Sequence, residues 1–133
     1  MKFLIVDDHA IVRRGLISLL KEEYRDATFG EAEDSKQGHA LALDSDWNLV
    51  LMDINMPGRN GIDLIRDIKS VKPDLPVLVV SAHAEKDYGV RSLKLGAAGY
   101  VSKQSAPDVL VAAVKRVLAG GRYVSPSLAE HLA

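Results

Sequence analysis

The sequence contains no cysteine, so disulfide bonds and thiol chemistry are excluded for this chain of 133 residues. Aromatic residues make up only 5% of it. No apolar run approaches the roughly 20 residues that a membrane-spanning helix needs, and the apolar run at the start is too short for a signal-peptide core. Neither sign of charge dominates, because 17 basic residues stand against 18 acidic ones. That balance argues against a broad basic surface for nucleic acid or anionic lipid. We therefore expect a soluble cytoplasmic domain that does not bind membranes.

What the chain does contain is a fivefold alternation of short apolar runs and helical patterns. Each apolar run is followed by a helix, and the five strands are predicted at about 3–6, 27–32, 49–53, 77–80 and 100–102. Short loops and near-continuous apolar strands are typical of a parallel sheet with helices on both faces and right-handed crossovers. Gly30 and the acidic residues near it suit a central strand poorly, so the second strand is placed at an edge. Ser35 and Ser105 are predicted to cap the second and fifth helices.

Residues 49–57 are the stretch around which the rest is organised. Four apolar residues run directly into Asp53, which predicts a strand buried on both faces with a carboxylate at its end. Pro57 cannot continue a central strand, and Gly58 and Gly61 supply a loop before the next helix. The carboxyl end of a buried parallel strand is where open sheets of this kind hold their ligands.

Polar side chains are predicted at the ends of three further strands. Asp7 and Asp8 end the first strand, Ser81 the fourth and Lys103 the fifth, and all of these ends should open on one edge with Asp53. Crowded carboxylates repel one another, and Mg²⁺, which prefers oxygen ligands, relieves that repulsion. Asp7 and Asp8 could instead cap a helix, and Lys103 could be a solvated lysine. Facing an acidic cluster, Lys103 would hold an anion or steady Asp53.

This arrangement is similar to the receiver domain of two-component response regulators. The resemblance extends from residue 4 to about 119, and it is carried by Asp7-Asp8, Asp53 to Gly58 with Gly61, Ser81-Ala82, Tyr100 and Lys103. Each piece alone is weak, but the order and spacing together are specific. The resemblance implies a flavodoxin-like, doubly wound (βα)5 sandwich with a five-stranded parallel sheet of order 2-1-3-4-5. It also implies a receiver domain over residues 1–119.

The tail resembles the linker of the NarL/FixJ (LuxR-type) branch of that family. In that branch, residues like 120–126 lead to a helix-turn-helix DNA-binding domain. We expect residues 120–133 to form a linker and a short helix that lead towards an output domain absent from this sequence. The chain would then be a truncated regulator or a receiver that works alone. DNA would be contacted only through such an output domain.

The resemblance implies that Asp53 accepts a phosphoryl group from the phosphohistidine of a sensor histidine kinase. Asp8, Asp53, the backbone carbonyl of Asn55 and, directly or through water, Asp7 would bind Mg²⁺. The chain would catalyse only its own phosphorylation and dephosphorylation, and it would act as a switch for a transcriptional output rather than as an enzyme.

The remaining conserved roles of the family fall on three residues of the last two strands. Ser81 would donate its hydroxyl to a phosphoryl oxygen, and Lys103 would pair with another. Tyr100 would be the aromatic switch, whose ring turns inward when Ser81 is drawn to the phosphate. Gln104 is a departure, since many relatives have proline after the lysine, and serine at position 81 replaces threonine but keeps the hydroxyl.

Three alternatives share the architecture but not the chemistry. A flavodoxin-like FMN carrier would place hydroxyls and amides, not Asp7 and Asp8, after the first strand. A phosphatase with an aspartyl nucleophile would place its nucleophile there, with a second acid two residues later, whereas position 55 is Asn. A degenerate docking receiver usually lacks one of the acids or the lysine, and this chain has all of them.

Asn55 and two histidines are predicted to lie near the acidic residues. Asn55 lies two residues after Asp53 and His83 two after Ser81, so both should border the phosphoryl group and control the water that hydrolyses it. His83 could equally be an ordinary loop residue. His9 is expected to be solvated.

An outward apolar patch is predicted on the first and last helices, which should share a face of the sheet. Its members are Ile17, Val111 and Leu118, because other apolar positions of these helices point to the core. Single exposed apolar residues are ordinary on any protein. As a group, and by resemblance to the same branch, they predict a weak homodimer through these two helices.

Overall fold

Five strands alternate with five helices, and a sixth helix follows the fifth, in this computed structural model, which describes residues 1–56, 60–83 and 85–132. The strands are β1 Lys2–Val6, β2 Thr28–Ala32, β3 Leu49–Met52, β4 Val77–Ser81 and β5 Gly99–Ser102. The helices are α1 Ala10–Glu23, α2 Ser35–Asp44, α3 Gly61–Val71, α4 Glu85–Lys94, α5 Ala106–Leu118 and α6 Pro126–Leu132. The predicted break at Pro57 and Gly58 lies outside the described residues.

The strands form one parallel sheet in the order β2-β1-β3-β4-β5. This confirms the predicted doubly wound α/β fold, its strand order and the edge position of β2. Side chains alternate between two cores because successive residues of a strand point to opposite faces. Leu4 and Val50 pack with α2, α3 and α4 on one face, whereas Phe3 and Leu51 pack with α1 and α5 on the other. The central strands are therefore apolar on both faces.

Two predicted helix caps are corrected by the backbone. Asp34, not Ser35, caps α2, because its extended backbone lets its carboxylate accept a 2.8 Å hydrogen bond from the Gln37 amide. Ser35 is already the first helical residue. Ser105 does precede α5, but its own backbone is helical and, within the described part of the chain, its side chain forms no cap bond. Its hydroxyl instead lies 2.8 Å from the Ser102 hydroxyl.

Trp47 packs at the edge of the sheet where β1 and β3 begin, opposite to the edge where Asp7 and Asp53 lie. Its Nε1 donates a 2.7 Å hydrogen bond to the Leu41 carbonyl, and the Lys2 ammonium lies 4.9 Å from the ring centroid. The ring also explains the glycine in β2, since a Cβ on Gly30 would lie 2.4 Å from Trp47 Cη2. The indole therefore cannot report directly on events near Asp53.

The tail packs back onto the domain. The Tyr123 amide donates to the Ala98 carbonyl at 2.9 Å, and the Tyr100 amide donates to the Tyr123 carbonyl at 3.2 Å, which adds one parallel bridge to the outer edge of β5. In α6, Leu128 is 2% exposed and belongs to the core beneath α4. None of the helices described has the length and apolar character to cross a membrane.

Candidate functional site

Two buried carboxylates stand at the ends of neighbouring central strands. Asp7 is 2% exposed and Asp53 is 4% exposed. Each continues the ladder of its strand by one residue, because the Asp7 amide donates to the Ala32 carbonyl at 3.0 Å and the Asp53 amide to the Val6 carbonyl at 2.9 Å. The sheet itself thus fixes the backbones that carry both acids, as the spacing predicts.

Lys103 joins these two carboxylates. Its Nζ lies 2.9 Å from Asp7 Oδ2 and 3.1 Å from Asp53 Oδ2. Burial raises the pKa of the Asp53 carboxyl, and the hydrogen bond and charge of Lys103 oppose that rise. Burial lowers the pKa of the Lys103 ammonium, but the hydrogen bonds and charges of Asp7 and Asp53 outweigh it, so the pKa is raised overall. The site therefore keeps a fixed positive charge against its acids.

Four side chains form a group that fits a hard divalent cation. One ligand atom from each of Asp7, Asp8, His9 and Asp53 lies within 4.8 Å of the others. Asp8 Oδ1 is buried and accepts no hydrogen bond within the described part of the chain, although His9 Nδ1 lies 3.0 Å from it, so the oxygen keeps the capacity to bind a cation. Three carboxylates in one group suit Mg²⁺, which prefers oxygen ligands. The predicted Mg²⁺ residues Asp7, Asp8 and Asp53 are thus brought together.

His9 differs from its expected role as a purely solvated residue. Its side chain is 63% exposed, yet its Nδ1 lies 3.1 Å from Asp7 Oδ1 and 3.0 Å from Asp8 Oδ1. Its amide also donates a 2.8 Å hydrogen bond to Asp7 Oδ1. The sequence signal for this contact is the position directly after the acidic pair, where a short turn returns the side chain towards it.

A chain of hydrogen bonds leads from Ser81 to the last strand. The buried Ser81 hydroxyl accepts a 3.1 Å hydrogen bond from the His83 amide, and the Tyr100 hydroxyl donates to the His83 carbonyl at 2.9 Å. Burial raises the pKa of the Tyr100 hydroxyl, while a hydrogen bond with Ser81 opposes that rise. The Tyr100 ring is 3% exposed and so lies inward. The three residues are in one contiguous network.

Asn55 and His83 meet across the mouth of the site. The Asn55 amide nitrogen and His83 Nε2 are in direct contact. The His83 ring also lies edge-on to Tyr88, with ring centroids 5.0 Å apart. The structure therefore brings together the two residues predicted to border the phosphoryl group, although their effect on hydrolysis remains a prediction.

The turn after Asp53 is tightly packed against α3. The Gly61 amide donates to the Ile54 carbonyl at 2.8 Å, and a Cβ on Gly61 would lie 2.6 Å from the Asp53 carbonyl oxygen. Asn60 caps α3 by accepting a 2.8 Å hydrogen bond from the Ile62 amide. Glycine is therefore needed at position 61 for close approach of the helix to the acceptor strand.

Arg13 and Glu31 are neighbours of the site that the sequence patterns do not single out. The Arg13 Nη1 donates a 2.6 Å hydrogen bond to the Asp7 backbone carbonyl, and its Nε donates a 2.9 Å hydrogen bond to Glu31. A usable signal was the four-residue interval from His9 to Arg13, which places Arg13 one turn above the start of α1.

The predicted outward patch is only partly exposed. Ile17 and Leu118 are half-buried against the core that α1 and α5 share, and Val111 is also half-buried. The shared face is as predicted, and Glu23 and Lys115 join the two helices with a 2.8 Å ion pair. Ile17 does not project as far from the core as expected, because α5 packs beside it. Whether this surface binds a second copy stays a prediction.

Comparison with known proteins shows which family this chain resembles. The family model described as "Response regulator receiver domain" matches residues 3–115. Among curated proteins, the response regulator GacA of Pseudomonas aeruginosa is 36% identical over 133 residues, which are 100% of this chain and 62% of that protein. The chain therefore spans less than two thirds of the length of this relative.

Solved structures agree in fold and in sequence. A LuxR-family two-component response regulator from Aurantimonas superposes with a TM-score of 0.85 at 32% identity, covering 98% of this chain and 94% of that one. The isolated REC domain of RcsB from Salmonella enterica serovar Typhimurium, determined in the presence of phosphomimetic BeF3⁻, gives 0.86 at 30% identity. The match covers 100% of this chain and 99% of that one.

Proposed function

The chain belongs to the response regulator receiver domains, in the LuxR (NarL/FixJ) branch, and from that premise we propose that Asp53 is its phosphoryl acceptor. The observation that carries this proposal is the position of Asp53. It is buried at the end of the central strand β3, 3.1 Å from the Lys103 ammonium and within the group of acids that fits a cation. Asp7 shares the ammonium, but its Oδ1 is already occupied by His9.

The proposed reaction is transfer of a phosphoryl group from the phosphohistidine of a sensor kinase. An Asp53 carboxylate oxygen attacks the phosphorus, the bond from phosphorus to the histidine nitrogen breaks, and the imidazole leaves with its electron pair. In this step a carboxylate anion attacks an anionic phosphoryl group, so the main catalytic demand is to neutralise the charge on the equatorial phosphoryl oxygens. The Lys103 ammonium already contacts Asp53, and it would form an ion pair with one of these phosphoryl oxygens.

The metal requirement follows from the same demand. The groups that would hold Mg²⁺ are the carboxylates of Asp7, Asp8 and Asp53 and the backbone carbonyl of Asn55. Bound there, the ion would neutralise charge on the phosphoryl oxygens.

The output step would begin at Ser81. The acyl phosphate carries about −1.5 to −2 charges and strong acceptor oxygens. The Ser81 hydroxyl would donate to one of these oxygens, which would change its bond with the His83 amide and, through the His83 carbonyl, the bond to Tyr100, and so bias the loop between β4 and α4. In this way the phosphoryl state would reach Tyr100, whose backbone also holds the tail at Tyr123.

The wider role is proposed from the relatives. We infer that residues 1–119 form a cytoplasmic receiver that controls transcription. It would do so through a helix-turn-helix output domain connected by the 120–133 segment, and that output domain would make the only contact with DNA. A histidine kinase would be the donor, and a second copy could join through α1 and α5.

The test is intact mass spectrometry after incubation with acetyl phosphate and Mg²⁺. The wild-type protein should gain the mass of one phosphoryl group, and Asp53→Asn or added EDTA should abolish the gain. A full adduct on Asp53→Asn would place the acceptor elsewhere. A wild-type chain that stays unmodified would favour a receiver used only for docking.

A further inference from the structure

Arg13 bridges two strands directly behind the acidic pair. Its guanidinium donates to the Asp7 carbonyl at 2.6 Å through Nη1 and to Glu31 Oε1 at 2.9 Å through Nε. The Arg13 side chain is 13% exposed, whereas that of Glu31 is 45% exposed. Arg13 therefore connects α1, the end of β1 and the edge strand β2.

The Asp7 carbonyl lies where the strand ladder stops. The Asp7 amide still pairs with the carbonyl of Ala32, which is the last residue of β2, so the Asp7 carbonyl lies beyond the last residue of both strands. A backbone carbonyl at the end of a ladder needs another donor. Arg13 provides it, and with a charged donor, which makes the bond stronger than a neutral one.

That hydrogen bond fixes the peptide plane between Asp7 and Asp8. The same plane sets the direction in which the Asp8 side chain leaves the backbone, and the buried Asp8 Oδ1 accepts no hydrogen bond within the described residues. We propose that Arg13 is a positioning residue for the cation and phosphoryl site, held by Glu31, which orients Asp7 and Asp8 for Mg²⁺. This inference rests on the proposed function, because it concerns the same metal.

The direction of the effect separates positioning from simple electrostatics. Removal of a positive charge near an acidic site should strengthen cation binding if charge alone matters. Removal of a group that orients a ligand should weaken it, typically by 10- to 100-fold for partners behind metal ligands. The Arg13–Glu31 pair is neutral as a unit, so its main contribution should be geometric.

The experiment is calorimetric titration of Mg²⁺ into six proteins. These are the wild type, Arg13→Ala, Arg13→Lys, Glu31→Gln, the double variant Arg13→Ala/Glu31→Gln and Arg14→Ala, the last being an exposed neighbour with the same loss of charge. Arg13→Ala should weaken Mg²⁺ binding by about 10-fold. Arg13→Lys should recover part of the loss, and Arg14→Ala should bind as tightly as the wild type or slightly more tightly.

A second arm separates positioning from stability. Glu31→Gln should weaken binding less than Arg13→Ala and should add nothing in the Arg13→Ala background, because both act through one bridge. Unfolding in EDTA shows whether each variant is folded, and Glu31→Gln keeps the test valid if Arg13→Ala is not. If Arg13→Ala and Glu31→Gln both bind Mg²⁺ as tightly as Arg14→Ala does, the positioning role of Arg13 is wrong, while the proposed function stands. A wild type that binds no Mg²⁺ would overturn the proposed function as well.

Discussion

Gly61→Ala tests how closely the acceptor strand and α3 must approach. The added Cβ would lie 2.6 Å from the Asp53 carbonyl oxygen, 2.7 Å from Ile54 Cα and 2.9 Å from the Ile54 carbonyl oxygen. All three are backbone atoms, so no side chain can turn aside. Gly61 does not have a positive φ, so alanine adds no backbone strain of its own. The cost must come from the displaced turn that follows Asp53.

The expected magnitude follows from overpacking. Forcing a methyl group into a packed site costs about 1–3 kcal/mol. Replacing glycine by alanine in a helix offsets about 0.5–1 kcal/mol of that in helix propensity at most. We expect Gly61→Ala to lower the free energy of unfolding by about 1–2 kcal/mol and to slow phosphorylation of the folded protein, since Asp53 shares the displaced peptide.

Gly15→Ala is the matched control, because a Cβ there meets no atom of the described residues within 4 Å. It should raise the free energy of unfolding by about 0.5–1 kcal/mol and leave phosphorylation unchanged. Urea denaturation measures the stability of both variants, and the time course of the phosphoryl adduct measures function. Equal stability and equal phosphorylation of the two variants would refute the close-approach reasoning.

Four further predictions address the metal, the lifetime, the tail and the dimer. Asp8→Ala should weaken Mg²⁺ binding in calorimetry more than Asp7→Ala, because the Asp7 oxygens are already held by the His9 amide and Lys103, whereas Asp8 Oδ1 accepts no hydrogen bond within the described residues. Equal affinities would remove that distinction. His83→Ala should change the rate of dephosphorylation several-fold, measured as loss of adduct mass over time, whereas unchanged decay would leave His83 an ordinary loop residue. Leu128→Ala should cost about 2–3 kcal/mol in urea denaturation, since a leucine that is 2% exposed is removed from a core, and a loss near zero would show that α6 is not docked. Leu118→Glu should be monomeric in analytical ultracentrifugation at concentrations where the phosphorylated wild type dimerises, because a two-fold interface meets the new charge twice; identical sedimentation would exclude this surface.

The strand ends were predictable because parallel strands of a doubly wound sheet end on one edge. Asp7, Asp53, Ser81 and Lys103 each follow an apolar run, so their common location needs only the strand pattern and the topology. The pairing of Lys103 with both acids follows from charge once that edge is defined. These features depend on local sequence and general rules, and both were sufficient.

Other features depend on tertiary neighbours that no local pattern reports. Asp34 caps α2 because its own backbone is extended, whereas Ser35 is already the first residue of the helix. Tyr123 pairs with β5 only because that strand is an open edge, and this brings the tail back onto the domain. Arg13 reaches the Asp7 carbonyl across a loop, so it required the packed positions of α1 and β2.

The most direct test of the central claim locates the phosphoryl group on the chain. Borohydride reduces an acyl phosphate and converts the acceptor aspartate into homoserine, which peptide mass spectrometry then identifies by position. After incubation with acetyl phosphate and Mg²⁺, the account predicts homoserine at position 53 and unchanged aspartate at positions 7 and 8. Homoserine at position 7 or 8, with position 53 unchanged, would contradict the assignment of Asp53 as the acceptor.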